Sequence, residues 1–173
     1  MNSKIRDVDA ETATSWSTFT ARAELLGAVV MRAASQDAAV SLLLETAGGF
    51  ACTRSVVERF PLIASRAGQD IHTEVVAAAE FAVTETGSVA VNEPADDRGR
   101  CFLAERLWLL VDHDTLVPDL DASLQRLGRL IRDGARHPLL MSGPSRTADI
   151  ERVLTIGVHG PRALVIVIVG EGK

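Results

Sequence analysis

Two short stretches of this 173-residue chain place residues of acid–base and anion-binding type at turns. The first, "TETGSV", has Glu85 at the end of an apolar run, followed by Thr86 and the flexible Gly87. The second, "MSGPSRTADIERVLTIGVHGP" from Met141 to Pro161, sets Arg146 among Ser142, Gly143, Ser145 and Thr147 and closes on His159 in a Gly-Val-His-Gly turn. Hydroxyls, free backbone N–H groups at the start of a helix and a planar guanidinium together suit a carboxylate or a phosphate. Glu85 and His159 are the groups that could exchange a proton with such a ligand. Each residue also has a structural use. Ser145 or Thr147 can cap a helix, and Arg146 can pair with Glu151. Glu85 can point into water from its turn, and His159 can be a hydrogen-bonded surface residue. Asp149 and Glu151 already favour the dipole of that helix and would repel a second anion.

These residues need a scaffold, and apolar spacing supplies its outline. A helix begins near Trp16 and includes Phe19, Ala23 and Leu26, and "GAVVMRA" follows as a strand. Ser35 caps a helix over "QDAAVSLLLETAGG", "FACT" is a strand, and "VVERFPLIASRAG" is an irregular or short helical connection broken at Pro61. "TEVVAAA" reads as helix, "FAVTETGSVAV" as two strands around a turn, and "NEPADDRGR" as a loop. "RLWLLVD" is a buried strand, and Pro118 suits the first turn of a helix that repeats Leu120, Leu124, Leu127 and Ile131 and stops at Gly134. "PLLMSG" is a strand, residues from about Thr147 to Ile156 a helix, and "ALVIVIVG" the last strand. Strands alternating with helices, some of them continuous apolar runs, predict a three-layer α/β sandwich with a mainly parallel sheet. Ligands of such sheets sit beyond the carboxyl ends of the strands, where Ser142–Thr147 falls. Residues 1–15 read as a loose polar arm and 16–173 as a single domain.

Composition narrows the function. With 18 basic and 23 acidic residues the net charge is −5, and with two Trp, five Phe and no Tyr there is little to stack on bases. Nucleic acid and anionic membranes are therefore unexpected partners. Cys52 and Cys101 stand far apart with no C-x-x-C, which gives no ligand set for zinc or an iron–sulfur cluster. "DHD" at Asp112–Asp114 follows a strand and cannot turn all three residues to one ion, so no metal and no other cofactor is expected. Lysine occurs only at Lys4 and Lys173, so a cation fixed in a pocket would be arginine or histidine. The N-terminus carries charges where a secretory signal needs an apolar run, and "ALVIVIV" is too short to span a bilayer. A cytoplasmic protein is the expectation.

The order "ETGSV", "LWLLVDHDTLVPDLDASLQRL", "SGPSRTADIE" and "GVHGP" resembles the LUD-domain family, in particular its lactate-utilisation protein C branch. The likeness runs from about Trp16 onward. It implies the fold shared by sugar-phosphate isomerases of the glucosamine-6-phosphate deaminase and ribose-5-phosphate isomerase type, coenzyme A transferases and 5-formyltetrahydrofolate cyclo-ligase. It also implies a part in bacterial oxidation of L-lactate to pyruvate beside two iron–sulfur partners. Family members are longer at the N-terminus, and "CFLAERLWLLVD" departs from the usual pattern, in which a proline is common. The protein B branch carries ferredoxin-like cysteine motifs that this sequence lacks. Two roles follow from the resemblance. One is a non-redox subunit of a lactate-oxidising complex, itself able to form homo-oligomers. The other is a free-standing isomerase, transferase or ligase that binds a small carboxylate or phosphate, with Glu85 and His159 as acid–base groups.

Overall fold

A computed structural model describes residues 15–68, 73–147, 155–156 and 160–171. In chain order the elements are α1 (Trp16–Leu25), β1 (Val29–Ala33), α2 (Gln36–Ala47), β2 (Ala51–Cys52), α3 (Arg54–Arg59) and α4 (Pro61–Ala64). Next come β3 (Glu74–Val83), β4 (Ser88–Val91), α5 (Ala95–Leu103), β5 (Arg106–Asp112), a 3-10 turn at His113–Thr115 and β6 (Leu116–Val117). The chain then forms α6 (Leu120–Arg132), β7 (Leu139–Met141), β8 (Arg146–Thr147), β9 (Thr155–Ile156) and β10 (Ala163–Val169).

The sheet is mixed, in the order β1-β10-β5-β3-β4-β7. β1, β10, β5 and β3 are mutually parallel, whereas β4 is antiparallel to both β3 and β7. Short β2 and β6 each run parallel to β3. The all-apolar runs of β5 and β10 lie side by side in the middle, where both of their faces are covered. Phe19, Ala23 and Cys101 bring α1 and α5 to one face of the sheet. Leu43, Val56 and Ile63 bring α2, α3 and α4 to the other. Further along that second face, Leu127 and Leu130 of α6 pack on Phe81, Val83 and Ala90. The predicted three-layer α/β architecture is therefore present, with an antiparallel pair added to the parallel strands.

Four local expectations fail. "TEVVAAA" is not helix but the first half of β3. Its alanines favour a helix in isolation, but here they line a strand buried on both faces, where their small size lets helices approach closely. "NEPADDRGR" is not a loop beyond Pro94, because α5 starts at Ala95 with Asp96 and Asp97 in a first turn that favours negative charge. The ends of the helix expected from Thr147 to Ile156 are strands. Arg146 pairs with Ile156 and Thr147 with Thr155 in an antiparallel ribbon, while 148–154 lie outside the described residues. The expected N-terminal arm lies outside them as well, apart from Ser15. Pro118 precedes α6 rather than entering it, since Asp119 is the cap and accepts from Ala122 N–H at 2.7 Å. Among the described residues no helix is long and apolar enough to cross a membrane.

Candidate functional site

β4 and β7 form a short antiparallel ladder, so each end of it gathers residues from distant parts of the chain. At one end the β3–β4 turn meets the segment after β7, and the two stretches marked by sequence come together. Ser88 Oγ and Ser142 Oγ are 2.7 Å apart. Gly87 has φ +66°, and a Cβ there would stand 2.4 Å from the Ala23 backbone nitrogen in α1. A Cβ on Gly143 would stand 2.6 Å from the Leu26 carbonyl oxygen just past that helix. Both glycines are thus required by the close passage of α1.

Several polar groups at this end have structural partners, whereas Thr84 Oγ1 is buried without one among the described residues. Glu85 is exposed, and its Oε2 accepts from Leu120 N–H at 2.8 Å, which satisfies one of the free donors at the start of α6. An acid–base role would require it to leave that helix end. Thr86 Oγ1 accepts from Ser88 N–H at 3.3 Å. Ser145 N–H donates to Pro161 O at 3.0 Å, and a Cβ on Gly160 would lie 3.1 Å from Ser145 Cβ. The β8–β9 ribbon therefore doubles the chain back, whereas a straight ten-residue helix would have carried it about 15 Å away. His159 lies outside the described residues, as do Asp149 and Glu151.

The opposite end of the ladder is built differently, and sequence reasoning overlooked it. β2 runs parallel to β3 and pairs with Val75–Val76, while β4 runs the other way and starts its pairing at Ala79–Val91. The carboxyl ends of β2 and β4 consequently face each other along one side of β3, and the ladder is interrupted between them. Ser55 fills the gap by accepting Ala78 N–H at 3.1 Å. Glu93, two residues past β4, turns into the same gap and is only 5% exposed. Its Oε1 accepts from Thr53 Oγ1 at 2.8 Å and from Ser55 Oγ. Its Oε2 is buried without a hydrogen-bond partner among the described residues.

Burial pushes the Glu93 carboxyl above the ordinary glutamate range; the Ser55 and Thr53 hydrogen bonds pull against this, and the nearby Asp97 adds to it. Glu93 also lines a cleft of about 640 Å³, bounded on one side by Asn92 and Arg98 and on the other by Asp133, Arg136 and His137 from the segment that follows α6. Arg98 and Arg136 have no ion-pair partner among the described residues. The thiols of Cys52 and Cys101 are both pushed up to about 12, chiefly by burial. They are inert near neutral pH. The sequence held one signal for this site, a lone glutamate directly after an apolar strand, but the strand gap that buries it depends on register.

The LUD domain family matches residues 75–169, from β3 through β10, and so includes both ends of the ladder. The chain belongs to the LUD-domain family. A curated relative from Escherichia coli K12, described as uncharacterized protein YkgG, is 35% identical over 98 residues, covering 54% of this chain and 42% of its own. Lactate utilization protein C of Deinococcus radiodurans is 32% identical over 109 residues, covering 61% of this chain and 50% of its own. Lactate utilization protein C of an Exiguobacterium species is 36% identical over 99 residues, covering 56% and 43%. The chain spans half or less of the length of these LUD relatives. Among solved structures, a DUF162 family protein from Deinococcus radiodurans superposes with a TM-score of 0.65 at 19% identity, covering 89% of this chain and 95% of that one. That likeness shows a shared fold.

Proposed function

We propose that this LUD-domain chain acts in bacterial lactate utilisation as a cytoplasmic subunit without a redox centre of its own, beside iron–sulfur proteins. The observation that carries the reading is the repeated similarity, at 30% identity or above and over more than half of the chain, to proteins named lactate utilization protein C. Chemistry supports the division of labour. Oxidising lactate to pyruvate releases two electrons, and two separated cysteines do not make the four-thiolate set of an iron–sulfur cluster. The electrons therefore need a partner. Leu25 and Leu103, 77% and 85% exposed, supply apolar contact area for one. In this reading Ser142–Thr147 contributes an anion contact, and His159 and a Glu85 released from the α6 terminus exchange protons with the ligand.

Deletion in the native host tests the proposal. Loss of growth on L-lactate as sole carbon source, with recovery of cysteine-rich iron–sulfur proteins on the tagged chain, is the expected result. Normal growth on lactate together with a lone monomer on purification would contradict it. A second reading, a free-standing small-molecule enzyme, draws support from one specific observation: the buried, half-partnered carboxyl group of Glu93 beside a cleft.

A further inference from the structure

Each end of the β4–β7 ladder buries one polar atom without a partner among the described residues, Thr84 Oγ1 at one and Glu93 Oε2 at the other, and of the two residues Glu93 is the one that lines the cleft. A buried carboxyl oxygen without a partner costs stability, so a fold that keeps one beside a cleft keeps it against a stability gradient. Glu93 meets that description. Two hydroxyls hold its Oε1, and its Oε2 is open to one more bond. The gap that holds it lies between the carboxyl ends of β2 and β4, and ligands of α/β sheets collect outside the carboxyl ends of strands.

We propose that this cleft is a binding site for a carboxylate ligand, anchored by Arg98 and Arg136, with the Glu93 carboxyl group meeting it from the strand gap. The assignment goes beyond the lactate reading and does not depend on it. Arginine presents a planar fork that matches a carboxylate, and these two guanidinium groups have no ion-pair partner among the described residues. Arg98 and Arg136 bring two positive charges to the lining against the carboxyl groups of Asp133 and Glu93, a balance that suits a monoanion rather than a doubly charged phosphate. A volume of about 640 Å³ falls within the range of small-molecule pockets, and a three-carbon acid would leave most of it empty. The ligand thus has room for a body beyond its carboxylate head.

Protonation decides whether Glu93 donates. Asp97 acts on it from α5, the Cys101 thiol feels its charge, and Arg98, Asp133, Arg136 and His137 line the same cleft. Asp97 is already paired with Arg100 at 3.1 Å. His137 is the histidine of that lining, so a His137→Gln background isolates the glutamate.

Calorimetric titration of the full chain with pyruvate, phenylpyruvate, inorganic phosphate and neutral pyruvamide tests the site. Both 2-oxo acids should bind saturably, phenylpyruvate more tightly, with phosphate weaker than either and pyruvamide silent. Arg98→Met and Arg136→Met should each weaken binding about ten- to a hundredfold at an unchanged melting temperature. In the His137→Gln background, affinity should fall as pH rises through the Glu93 titration. Glu93→Gln, which keeps a donor, should bind within a few fold of the parent and lose that pH dependence. Absence of carboxylate binding, tighter binding of phosphate, or affinities indifferent to both arginines would overturn the proposal. These outcomes are independent of growth on lactate, so either account can fail alone.

Discussion

Ser88, which meets Ser142 at one end of the β4–β7 ladder, and Glu93 at the other lie about 17 Å of extended chain apart, and the two ends treat their carboxyl groups differently. At the first, glycines admit a helix at closer than normal range and a carboxylate completes a helix terminus. At the second, a carboxyl group is driven into a strand gap, loses water and is given partners on one oxygen only. A glycine-, serine- and threonine-rich stretch that looks like a ligand loop can owe its composition to the packing of a neighbouring helix. Reactivity is better sought where a polar group is buried with a bond still to make.

The contrast can be broken at its structural end first. Gly87→Ala should destabilise the fold by about 3–5 kcal/mol, because the methyl meets backbone atoms of Arg22 and Ala23 and the positive φ is strained for alanine. Chemical denaturation measures this. A loss under about 1 kcal/mol would mean that α1 is free to retreat and that the glycine serves something other than packing. At the other end, Glu93→Ala should cost about 1–3 kcal/mol by leaving the Thr53 and Ser55 hydroxyls without their acceptor.

Glu93 should also tilt the stability of the protein with pH. A carboxyl whose pKa is raised by folding contributes stability in full below its unfolded value, about 4.3, and loses that contribution as pH rises through the folded value. Glu93→Gln has no proton to lose. Relative to the parent it should therefore gain stability as pH climbs above about 4.3, and parallel curves for the two proteins would deny the shift. The smallest effect belongs to Glu85. Its exposed contact with Leu120 N–H is worth about 0.5–1 kcal/mol, so Glu85→Ala should lower the melting temperature slightly and leave ligand binding in the Glu93 cleft unchanged.

Much of the fold was legible because burial and periodicity agree in β5, β10, α2 and α6, where apolar runs or a helical stripe match what the sheet requires. The misreadings occur where local preference and tertiary context disagree. Ala77, Ala78 and Ala79 favour helix alone but form a buried strand, and Asp96 and Asp97 look like loop residues but begin a helix. The candidate site was legible as residue types and not as geometry. Ser142 and Ser88 are brought together as strand neighbours, yet their region is packed against α1. Glu93 carries no neighbouring motif, and its burial follows from β2 and β4 ending against each other along β3, a relation between segments roughly forty residues apart that no local window contains.

The most direct test of the central claim is a carbon NMR titration of the Glu93 side-chain carboxyl, with Glu93→Gln used to assign its resonance. A midpoint above about 4.3 is expected, since a buried carboxyl group with one oxygen unpartnered resists ionisation. A midpoint at or below about 4.3 would contradict the account, because Glu93 would then be an ordinary ionised carboxylate and the two ends of the ladder would not differ in the way proposed.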